Sequence, residues 1–470
     1  MRCGLVVVFS LLVAQAAAGA EPVREAAAWT AYGHDAQLTN FVPSGVLTPK
    51  TAPRLRRVWS RRLDGAIVAS PLVALGRPSA TVVVATEGGS VVALAASTGK
   101  ELWRRALGTV KAAKCGTYGI SSTDVIDLAR GRVYVIGASG ELHALSLATG
   151  EEAAGWPVRL IERTRYEYVW GGLRLSGKRL YVPVASYCDV ADDDGVSAEG
   201  RLVAVDVDDP THIETFDPVP GYGNLGGIWG YGGVSLEPGG GVVYTAIGNS
   251  QGGSGFDTDG YGDQVVALSP DLSTVLDADL PATVPDTGDF DFGAAPVLFR
   301  PPGCQPLAAA NNKDGNLYVW NRRRLADGPV ATIRLGDRTT AFIAQPSWSP
   351  RTKLLYVAGA ALTVPNVDHP KGVVALRVRS GCRFVRAWKA ITGFGNQPPP
   401  IVVGDVLLAD GGDGGDVFAL DARTGRRLWR ASTRSVPVGA PLVYAAGTLV
   451  AGDAKGTVYA FRVGPKRSLG

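Results

Sequence analysis

The sequence predicts an all-β protein, an eight-bladed β-propeller of four-stranded antiparallel sheets. Three observations predict this fold class: many turn-forming residues, a unit that recurs along the chain, and two chain ends that complement each other. The 470 residues include 61 glycines and 30 prolines, which together exceed the roughly 12% of average usage. Such a composition favours tight turns over a helical bundle.

The recurring unit accounts for the blades. In its fullest copies a Thr-Gly turn precedes a tryptophan: Thr98-Gly99 precedes Trp103, and Thr424-Gly425 precedes Trp429. Apolar runs joined by glycine turns come before each Thr-Gly pair, which is the pattern of short paired strands. Four strands in a unit of roughly 40–60 residues are typical of a propeller blade. Equivalent apolar positions fall at residues 94, 145, 205, 268, 320, 376, 420 and 461.

The chain ends predict how the ring closes. The last unit, residues 448–463, stops before its tryptophan strand, whereas residues 57–63 resemble such a strand with no unit in front of it. We therefore expect the strand of Trp59 to pair with that of Tyr459 as the fourth strand of the last blade. This pairing also removes two open sheet edges.

The N-terminus has the pattern of a cleaved export signal over residues 1–20. Met1-Arg2 is followed by an apolar run over residues 5–13 and by the small-residue sequence Ala18-Gly19-Ala20. No later apolar segment is long enough to span a bilayer. The predicted organisation is a signal peptide at 1–20, an N-terminal entry segment at 21–53, the propeller at 54–463 and a tail at 464–470, in a monomer that is periplasmic or secreted.

The charge balance gives no indication of a polyanionic partner. The chain carries 47 Lys and Arg against 43 Asp and Glu, for a net charge of +4, and no basic block stands out in the sequence. Neither a nucleic-acid partner nor an anionic membrane is therefore expected from charge. Hydrophobic residues make up 46% of the chain, enough for a sizeable core.

Four cysteines remain after the predicted cleavage, and they allow three pairings. In a four-stranded blade, loops from strand 4 to the next strand 1 and from strand 2 to strand 3 share one face. Cys115 and Cys188 fall in such loops of neighbouring units, whereas Cys304 and Cys382 fall in loops of the opposite face. The topology predicts disulfides Cys115–Cys188 and Cys304–Cys382, with buried free thiols as the alternative.

The opening Trp29-Thr30-Ala31-Tyr32-Gly33-His34-Asp35 and the repeated Thr-Gly…Trp unit are similar to the quinoprotein alcohol dehydrogenase-like propellers, the pyrroloquinoline quinone (PQQ) repeat superfamily. The resemblance covers nearly all of residues 29–463. It implies the propeller fold more specifically than it implies catalysis, because the superfamily includes both dehydrogenases and non-catalytic assembly factors.

The resemblance also implies site residues. Trp229 matches the family's cofactor floor, Lys313 a cofactor-contacting lysine, and Asn249 a Ca²⁺ ligand. Asp291 matches the catalytic base best, with Asp289 as the second choice. Glu199 or Asp194 is expected as the carboxylate that also binds Ca²⁺, with Asp189 as a further candidate, and Tyr118 as an aromatic contact of the cofactor. The adjacent cysteines of many catalytic members and a haem-binding Cys-x-x-Cys-His are missing from the sequence.

Each of these residues has a structural alternative. Aromatic loop residues that include Tyr118, Trp170 and Trp229 suit stacking on a flat ligand, but they also suit a packed plug of the central channel. Loop carboxylates such as Asp194 and Asp263 suit Ca²⁺ or simple solvation. Asp291, which precedes a Gly-Ala-Ala-Pro turn, suits a general base or a carboxylate that caps the loop.

The sequence thus predicts an exported PQQ- and Ca²⁺-dependent dehydrogenase that oxidises alcohol or sugar hydroxyls. The main alternative is a non-catalytic propeller that binds a protein or glycan, like an outer-membrane assembly factor; a polysaccharide lyase or hydrolase on the same scaffold is a third. The four histidines are scattered and no Gly-x-Ser-x-Gly or P-loop motif occurs, so acyl and phosphoryl transfer are not indicated.

Overall fold

The computed structural model describes residues 28–76, 80–192, 194–219, 221, 223–250, 260–285, 289–336, 342–361, 371–393, 398–412, 415–433 and 442–465. The predicted signal peptide lies outside the described residues, so that prediction stays untested. No helix in the described ranges is long and apolar enough to cross a membrane.

Eight sheets form the ring, which confirms the predicted fold class. Two strands come before blade 1 in the sequence: β1 Phe41–Val42, which has two residues, and β2 Leu55–Arg62, which belongs to blade 8. Blade 1 comprises β3 Leu72–Ala74, β4 Thr81–Ala85, β5 Ser90–Ala95 and β6 Glu101–Ala106, and blade 2 comprises β9 Val125–Asp127, β10 Arg132–Ile136, β11 Glu141–Ser146 and β12 Val158–Arg159. Blade 3 comprises β14 Arg174–Ser176, β15 Arg179–Ser186, β16 Arg201–Asp206 and β17 Ile213–Phe216. Blade 4 comprises β18 Ser235–Leu236, β19 Val243–Ala246, β20 Val265–Leu268 and β21 Val275–Asp279. A hairpin of β7 Val110–Lys111 and β8 Thr117–Tyr118 precedes blade 2, and β13 Glu167–Tyr168 adds to blade 3.

Blades 5 to 8 complete the ring. Blade 5 comprises β22 Val297–Phe299, β23 Leu307–Asn311, β24 Asn316–Asn321 and β25 Ala331–Arg334, and blade 6 comprises β26 Ser347–Ser349, β27 Leu354–Ala361, β28 Lys371–Arg379 and β29 Arg383–Gly393. Blade 7 comprises β30 Ile401–Val403, β31 Val406–Asp410, β32 Asp416–Asp421 and β33 Arg427–Ser432. Blade 8 contains β34 Val443–Ala445, β35 Thr448–Gly452 and β36 Thr457–Val463. Three short 3₁₀ helices span Ala52–Arg54, Leu325–Asp327 and Ser380–Cys382.

Blade 8 closes as predicted from the two chain ends. β2 pairs antiparallel with β36, so that Ser60 lies opposite Tyr459 and Trp59 opposite Ala460. The sheet order β2-β36-β35-β34 makes the N-terminal strand the fourth and outermost strand of the last blade. The ring is therefore fastened by hydrogen bonds between its first and last blade strands.

The Thr-Gly…Trp unit forms the contact between neighbouring blades at three junctions, those of blades 8 and 1, 1 and 2, and 6 and 7. The indole N–H groups of Trp59, Trp103 and Trp388 donate to a carbonyl of the next blade, at 3.0, 2.9 and 3.0 Å. Each ring is covered by the glycine of that blade's turn: a Cβ on Gly99 would lie 2.7 Å from the Trp59 ring, and one on Gly150 only 2.5 Å from the Trp103 ring. Both glycines also have positive φ, so the turn needs glycine for its backbone and for the space above it.

Both predicted disulfides are present. Cys115 is bonded to Cys188 with a Cα–Cα distance of 6.3 Å, and Cys304 to Cys382 with a distance of 5.6 Å. Each bond joins loops of adjacent blades on the face that the strand topology assigned to it. A disulfide of this kind contributes about 2–4 kcal/mol to stability.

The residues before blade 1 fill the central channel. We call residues 29–42 the hub segment, because their backbone reaches the first strand of seven blades in succession. Since so short a segment contacts all seven strands, these strands must converge around the ring axis. The contacts, in chain order, join Trp29 to Val73, Thr30 to Ile126, Tyr32 to Arg174, Ala36 to Leu236, Gln37 to Leu298, Thr39 to Trp348 and Asn40 to Val402.

Candidate functional site

A cavity of about 230 Å³ opens at one face of the ring. Its lining comes from the loops of blades 3, 4 and 5 that run from strand 4 to the next strand 1 or from strand 2 to strand 3, the two loop types that share a face. We call it the mouth cavity. It is lined by Trp170, Ala185, Ser186, Tyr187, Asp189, Leu225, Gly227, Trp229, Gly248, Asn249, Asp291 and Lys313.

Four residues singled out in the sequence meet in the mouth cavity: Trp229, Asn249, Asp291 and Lys313. The Trp229 indole N–H donates to Asp291 Oδ2 at 2.6 Å, and Lys313 Nζ lies 2.6 Å from Asp291 Oδ1. Lys313 Nζ also bonds Asp289 Oδ1 at 2.5 Å and lies 4.7 Å from the centre of the Trp229 ring. The ammonium is thus held by two carboxylates and an aromatic face.

Local backbone pairing places these charged groups. Phe292 forms an isolated antiparallel bridge with Asn312, and the Asn312 side chain donates to the Phe290 carbonyl at 2.6 Å. The Lys313 N–H donates to the Asp291 carbonyl at 3.2 Å. Because the loop before blade 5 is fixed to the hairpin within that blade, Asp291 and Lys313 are brought together independently of their side-chain bond.

Two glycines position the Trp229 ring. A Cβ on Gly248 would lie 2.9 Å from Trp229 Cδ1 and 3.1 Å from Asp291 Oδ2. A Cβ on Gly293 would lie 3.0 Å from Trp229 Cη2 and 2.3 Å from Ile343 Cβ. Any side chain at either position would displace the indole or its neighbours, so the two glycines provide the space in which the ring lies.

Burial governs the charge state of the site. It raises the pKa of the Asp291 carboxyl, which is 1% exposed, although the Lys313 ammonium and the Trp229 N–H oppose that shift. Burial alone would lower the pKa of Lys313, but the negative charges of Asp291 and Asp289 outweigh it and raise that pKa. Lys313 is therefore the stable cation of the cluster, and its two carboxylate partners balance it.

A third carboxyl, Asp263, lies behind this cluster. It is 3% exposed, and its Oδ1 has no hydrogen-bond partner among the described residues. Burial, together with the charge of Asp291, raises the pKa of Asp263 to about 7. The sequence placed Asp263 among loop carboxylates but gave no sign of its burial, because a loop aspartate is usually solvated.

An aromatic wall lines one side of the cavity. Trp170 and Tyr187 are nearly parallel, with ring centres 5.6 Å apart, and Tyr118 stacks behind Tyr187 at 4.7 Å. Tyr118 is 1% exposed and does not line the cavity, so it supports the wall from behind. The sequence analysis did not identify Tyr187. The one indication of its position was the neighbouring Cys188, because the predicted disulfide with Cys115 draws that loop towards Tyr118.

The residues expected to bind Ca²⁺ converge only in part. Asn249 and the further candidate Asp189 line the cavity, whereas Glu199 and Asp194 do not. Glu199 bridges to Leu225 through its backbone, and burial raises its carboxyl pKa; Asp194 is exposed. No group of three or more His, Cys, Asp or Glu side chains within the described ranges is arranged to hold a metal.

Asn249 is the link between the predicted metal site and the charged cluster. In the orientation that satisfies its amide, the nitrogen donates to Asp289 Oδ1 at 3.2 Å and to Asp291 Oδ2 at 3.0 Å. Turned over, the amide oxygen would join these carboxylates as a third hard donor, the ligand type that Ca²⁺ takes. The donor chemistry therefore suits a hard cation, and the face of Trp229 with Lys313 suits a planar anion such as PQQ.

Comparisons with known proteins agree with the fold. The family model described as outer membrane protein assembly factor BamB, a PQQ-repeat family, matches residues 52–181 and 307–464. A search of curated proteins by sequence finds no match.

Solved structures of two kinds resemble the chain. Quinohemoprotein alcohol dehydrogenase from Comamonas testosteroni is 16% identical, with a TM-score of 0.73 over 94% of this chain and 81% of that one. A europium-containing methanol dehydrogenase is 14% identical, with a TM-score of 0.72 over 93% and 98%. BamB from Moraxella catarrhalis is 15% identical, with a TM-score of 0.54 over 88% and 99%. At these identities the similarity shows the fold.

Proposed function

The chain belongs to the PQQ-repeat family of β-propellers, and we propose that it is an exported dehydrogenase that binds PQQ in the mouth cavity and oxidises alcohol or sugar hydroxyls. One observation supports this most: Trp229, Asn249, Asp291 and Lys313 come from four separate loops and line one cavity. The resemblance named each of them for the same site. Chance placement on eight blades would scatter them.

Each residue has a role in this proposal. The Trp229 face would stack on the cofactor, Lys313 would hold its oxygens, and Asn249 with the neighbouring carboxylates would hold the metal. When bound, PQQ supplies a two-electron acceptor for the substrate's hydride. The chain's own part is to orient the substrate hydroxyl and take its proton.

Asp291 is the proposed proton acceptor, with Asp289 as the second candidate. Lys313 and Trp229 both favour the ionised form of Asp291, which is the form that can accept a proton. Asp291 lines the cavity at 1% exposure, whereas the side chain of Asp289 is 51% exposed. A buried base excludes competing water better, so we assign the role of proton acceptor to Asp291.

A second function, a non-catalytic propeller that binds a protein or glycan, has its own support. Both carboxylates beside Lys313 already have that ammonium as a partner, and Glu199 and Asp194 lie outside the cavity lining. The matching family model is described by an assembly factor. In this alternative the charged cluster would fix the loops instead of performing chemistry.

Reconstitution separates the two functions. Purified protein is mixed with PQQ and either Ca²⁺ or Eu³⁺, and absorbance, thermal unfolding and dye reduction are measured with a panel of alcohols and sugars. The dehydrogenase should be stabilised by PQQ, and Asp291→Asn should abolish dye reduction while PQQ uptake persists. Asp327→Asn, at an exposed position, is the matched control and should behave as the wild type. No thermal shift and no turnover with either metal would leave the binding function.

A further inference from the structure

Four outer strands of the described ring carry a tryptophan, and at the junction of blade 7 with blade 8 this tryptophan has no Thr-Gly turn above it. In the regular contacts the outer-strand tryptophan of one blade lies under the Thr-Gly turn of the next, as Trp388 does under Gly425. Blade 8 has no such turn, because its last two strands come from opposite ends of the chain. Trp429 of blade 7 is therefore left without a covering turn, and its indole N–H has no hydrogen bond among the described residues.

An open groove results at this junction. It has a volume of about 300 Å³ and is lined by Leu55, Arg56, Arg57, Trp429, Ala431, Ser432 and Phe461; we call it the seam groove. Trp429 and Phe461 meet edge to face at 5.2 Å and form its apolar base. Arg56 and Arg57 are exposed beside them. The groove thus joins an aromatic surface to a pair of guanidinium groups.

The strands around the seam groove are strongly basic. The outer strands of blades 6, 7, 8 and 1 (β29, β33, β2 and β6) carry eleven basic residues and one acidic residue, Glu101. The outer strands of blades 2 to 5 (β12, β17, β21 and β25) carry two basic and three acidic residues. The balanced sequence therefore folds into a ring with a cationic rim on one side.

Much of this positive charge is not used inside the molecule. Seven of the eleven basic side chains form no salt bridge within the ranges that the structure describes. They are Arg56, Arg57, Arg62, Arg383, Arg386, Lys389 and Arg427. A field of unpaired cations over four neighbouring blades favours a polyanion, and guanidinium groups pair with carboxylates in a bidentate geometry.

We propose that the seam groove binds one acidic sugar unit of a linear, carboxylate-bearing polysaccharide whose neighbouring units follow the cationic rim. The apolar face of the sugar ring would pack on Trp429, and its carboxylate would pair with Arg57, which lies opposite Phe461 in the pairing of β2 with β36, while Arg56 adds positive charge beside it. The site lies on the outside of the ring and shares no lining residue with the mouth cavity. The inference is independent of the proposed dehydrogenase.

The geometry favours this occupant over two other polyanions. The rim is convex, so a flat anionic bilayer would touch only a part of it, whereas a flexible chain can bend around it. Single-stranded nucleic acid binds on successive aromatic platforms, but Trp59, Trp103 and Trp388 on the same outer strands are covered by glycine turns. One open aromatic ring among many cations suits a polymer whose own rings carry the charge.

Calorimetric titration of the full-length protein with hexagalacturonate tests the proposal, with the fully methyl-esterified hexamer as the neutral control. We expect the acidic hexamer to bind, with affinity that falls as salt rises from about 50 to 200 mM, and the ester not to bind. Arg56→Glu/Arg57→Glu should weaken binding by about tenfold or more, and Trp429→Leu by about tenfold. Arg323→Glu/Arg324→Glu, an equal charge change on an exposed loop of blade 5, should leave affinity within about twofold.

Three results would overturn the proposal. The first is no binding of hexagalacturonate at low salt by protein whose thermal unfolding is intact. The second is an equal loss of affinity in Arg56→Glu/Arg57→Glu and Arg323→Glu/Arg324→Glu, which would mean that only net charge matters. The third is tighter binding of oligothymidylate or of phosphatidylglycerol vesicles with no effect of Trp429→Leu. Dye reduction in the reconstitution assay should not change in the seam variants.

Discussion

Two buried cations, Arg174 in the channel and Lys313 in the mouth cavity, are stabilised in opposite ways. Arg174 is 3% exposed and donates to the carbonyls of Tyr32 and Asp35 at 2.6 and 3.2 Å. Lys313 is 8% exposed and pairs with the carboxylates of Asp289 and Asp291. Backbone carbonyls cannot change charge or exchange partners, whereas carboxylates can do both.

The difference separates a structural position from a functional one. Burial lowers the pKa of Arg174 to about 10, and the charge of Asp35 offsets only a part of that shift. The carboxylates beside Lys313 raise its pKa instead. The channel therefore holds its cation for packing, while the mouth cavity holds a charged cluster that a ligand can rearrange.

The largest expected effect is at Lys313. Lys313→Met leaves Asp291 buried without its counter-ion, which should cost about 4 kcal/mol of unfolding free energy at pH 8. Burial raises the pKa of Asp291, and the variant also loses the ammonium that opposes this shift, so the carboxyl takes up a proton more readily as pH falls and the loss should be smaller at pH 5 than at pH 8. Chemical denaturation at both pH values measures it. Arg174→Met, whose direct partners are carbonyls and which interacts with the titratable Asp35 and His34 only through their charge, should show a smaller pH dependence, and equal pH behaviour of both variants would contradict the contrast.

The hub segment should be next in effect. Leu38 is fully buried against Tyr32, Tyr231 and Ala295, and Leu38→Ala should cost about 3 kcal/mol through lost burial and an unfilled cavity. The change in denaturation midpoint gives this value. Ligand binding at the mouth should persist in folded Leu38→Ala protein; its loss would show that channel and mouth are a single unit.

A pH effect should come from Asp263. Its pKa of about 7 exceeds that of an unfolded aspartate, so its contribution to stability is present below about pH 4 and is lost as pH rises through 7. Asp263→Asn removes the titration and tolerates the positive φ of 58° at this position. The variant should gain stability at pH 8 relative to its effect at pH 4, by at most the roughly 4 kcal/mol that three pKa units represent. Thermal unfolding across pH that parallels the wild type would contradict this assignment.

The smallest expected effect is at a hydrogen bond of the hub segment. The Gln37 amide donates to the Leu236 carbonyl of blade 4 at 3.0 Å. Gln37→Ala should cost about 1 kcal/mol, independent of pH because neither group titrates. A pH-dependent loss would mean that the channel, like the mouth, contains a titrating partner.

The repeated parts of the molecule were predictable, and the reason is physical. The Thr-Gly…Trp unit recurs because the same contact, a turn that fits over an indole, is made at three junctions between blades. The pairing of Trp59 beside Tyr459 and both disulfides follow from strand order alone. Each loop of the mouth cavity occurs once, so its residues had no repeat to identify them.

The site was predicted only where a motif marked it. Trp229, Asn249, Asp291 and Lys313 meet in the cavity, whereas Tyr118, Glu199 and Asp194 lie outside its lining. The burial of Asp263 and the position of Tyr187 depend on neighbours far apart in the chain, which no local pattern encodes. The roles assigned to these residues in cofactor, metal and proton binding stay predictions for the reconstitution assay.

The contacts of the hub segment and of β2 also determine when folding of the ring can be completed. Trp29 finds Val73 soon after synthesis, but Asn40 must wait for Val402 and Trp59 for Ala460 near the end of the chain. Contacts of such long sequence separation form late and slowly. These residues are thus among the last to reach their final place, and the ring cannot close before β36 is available to pair with β2.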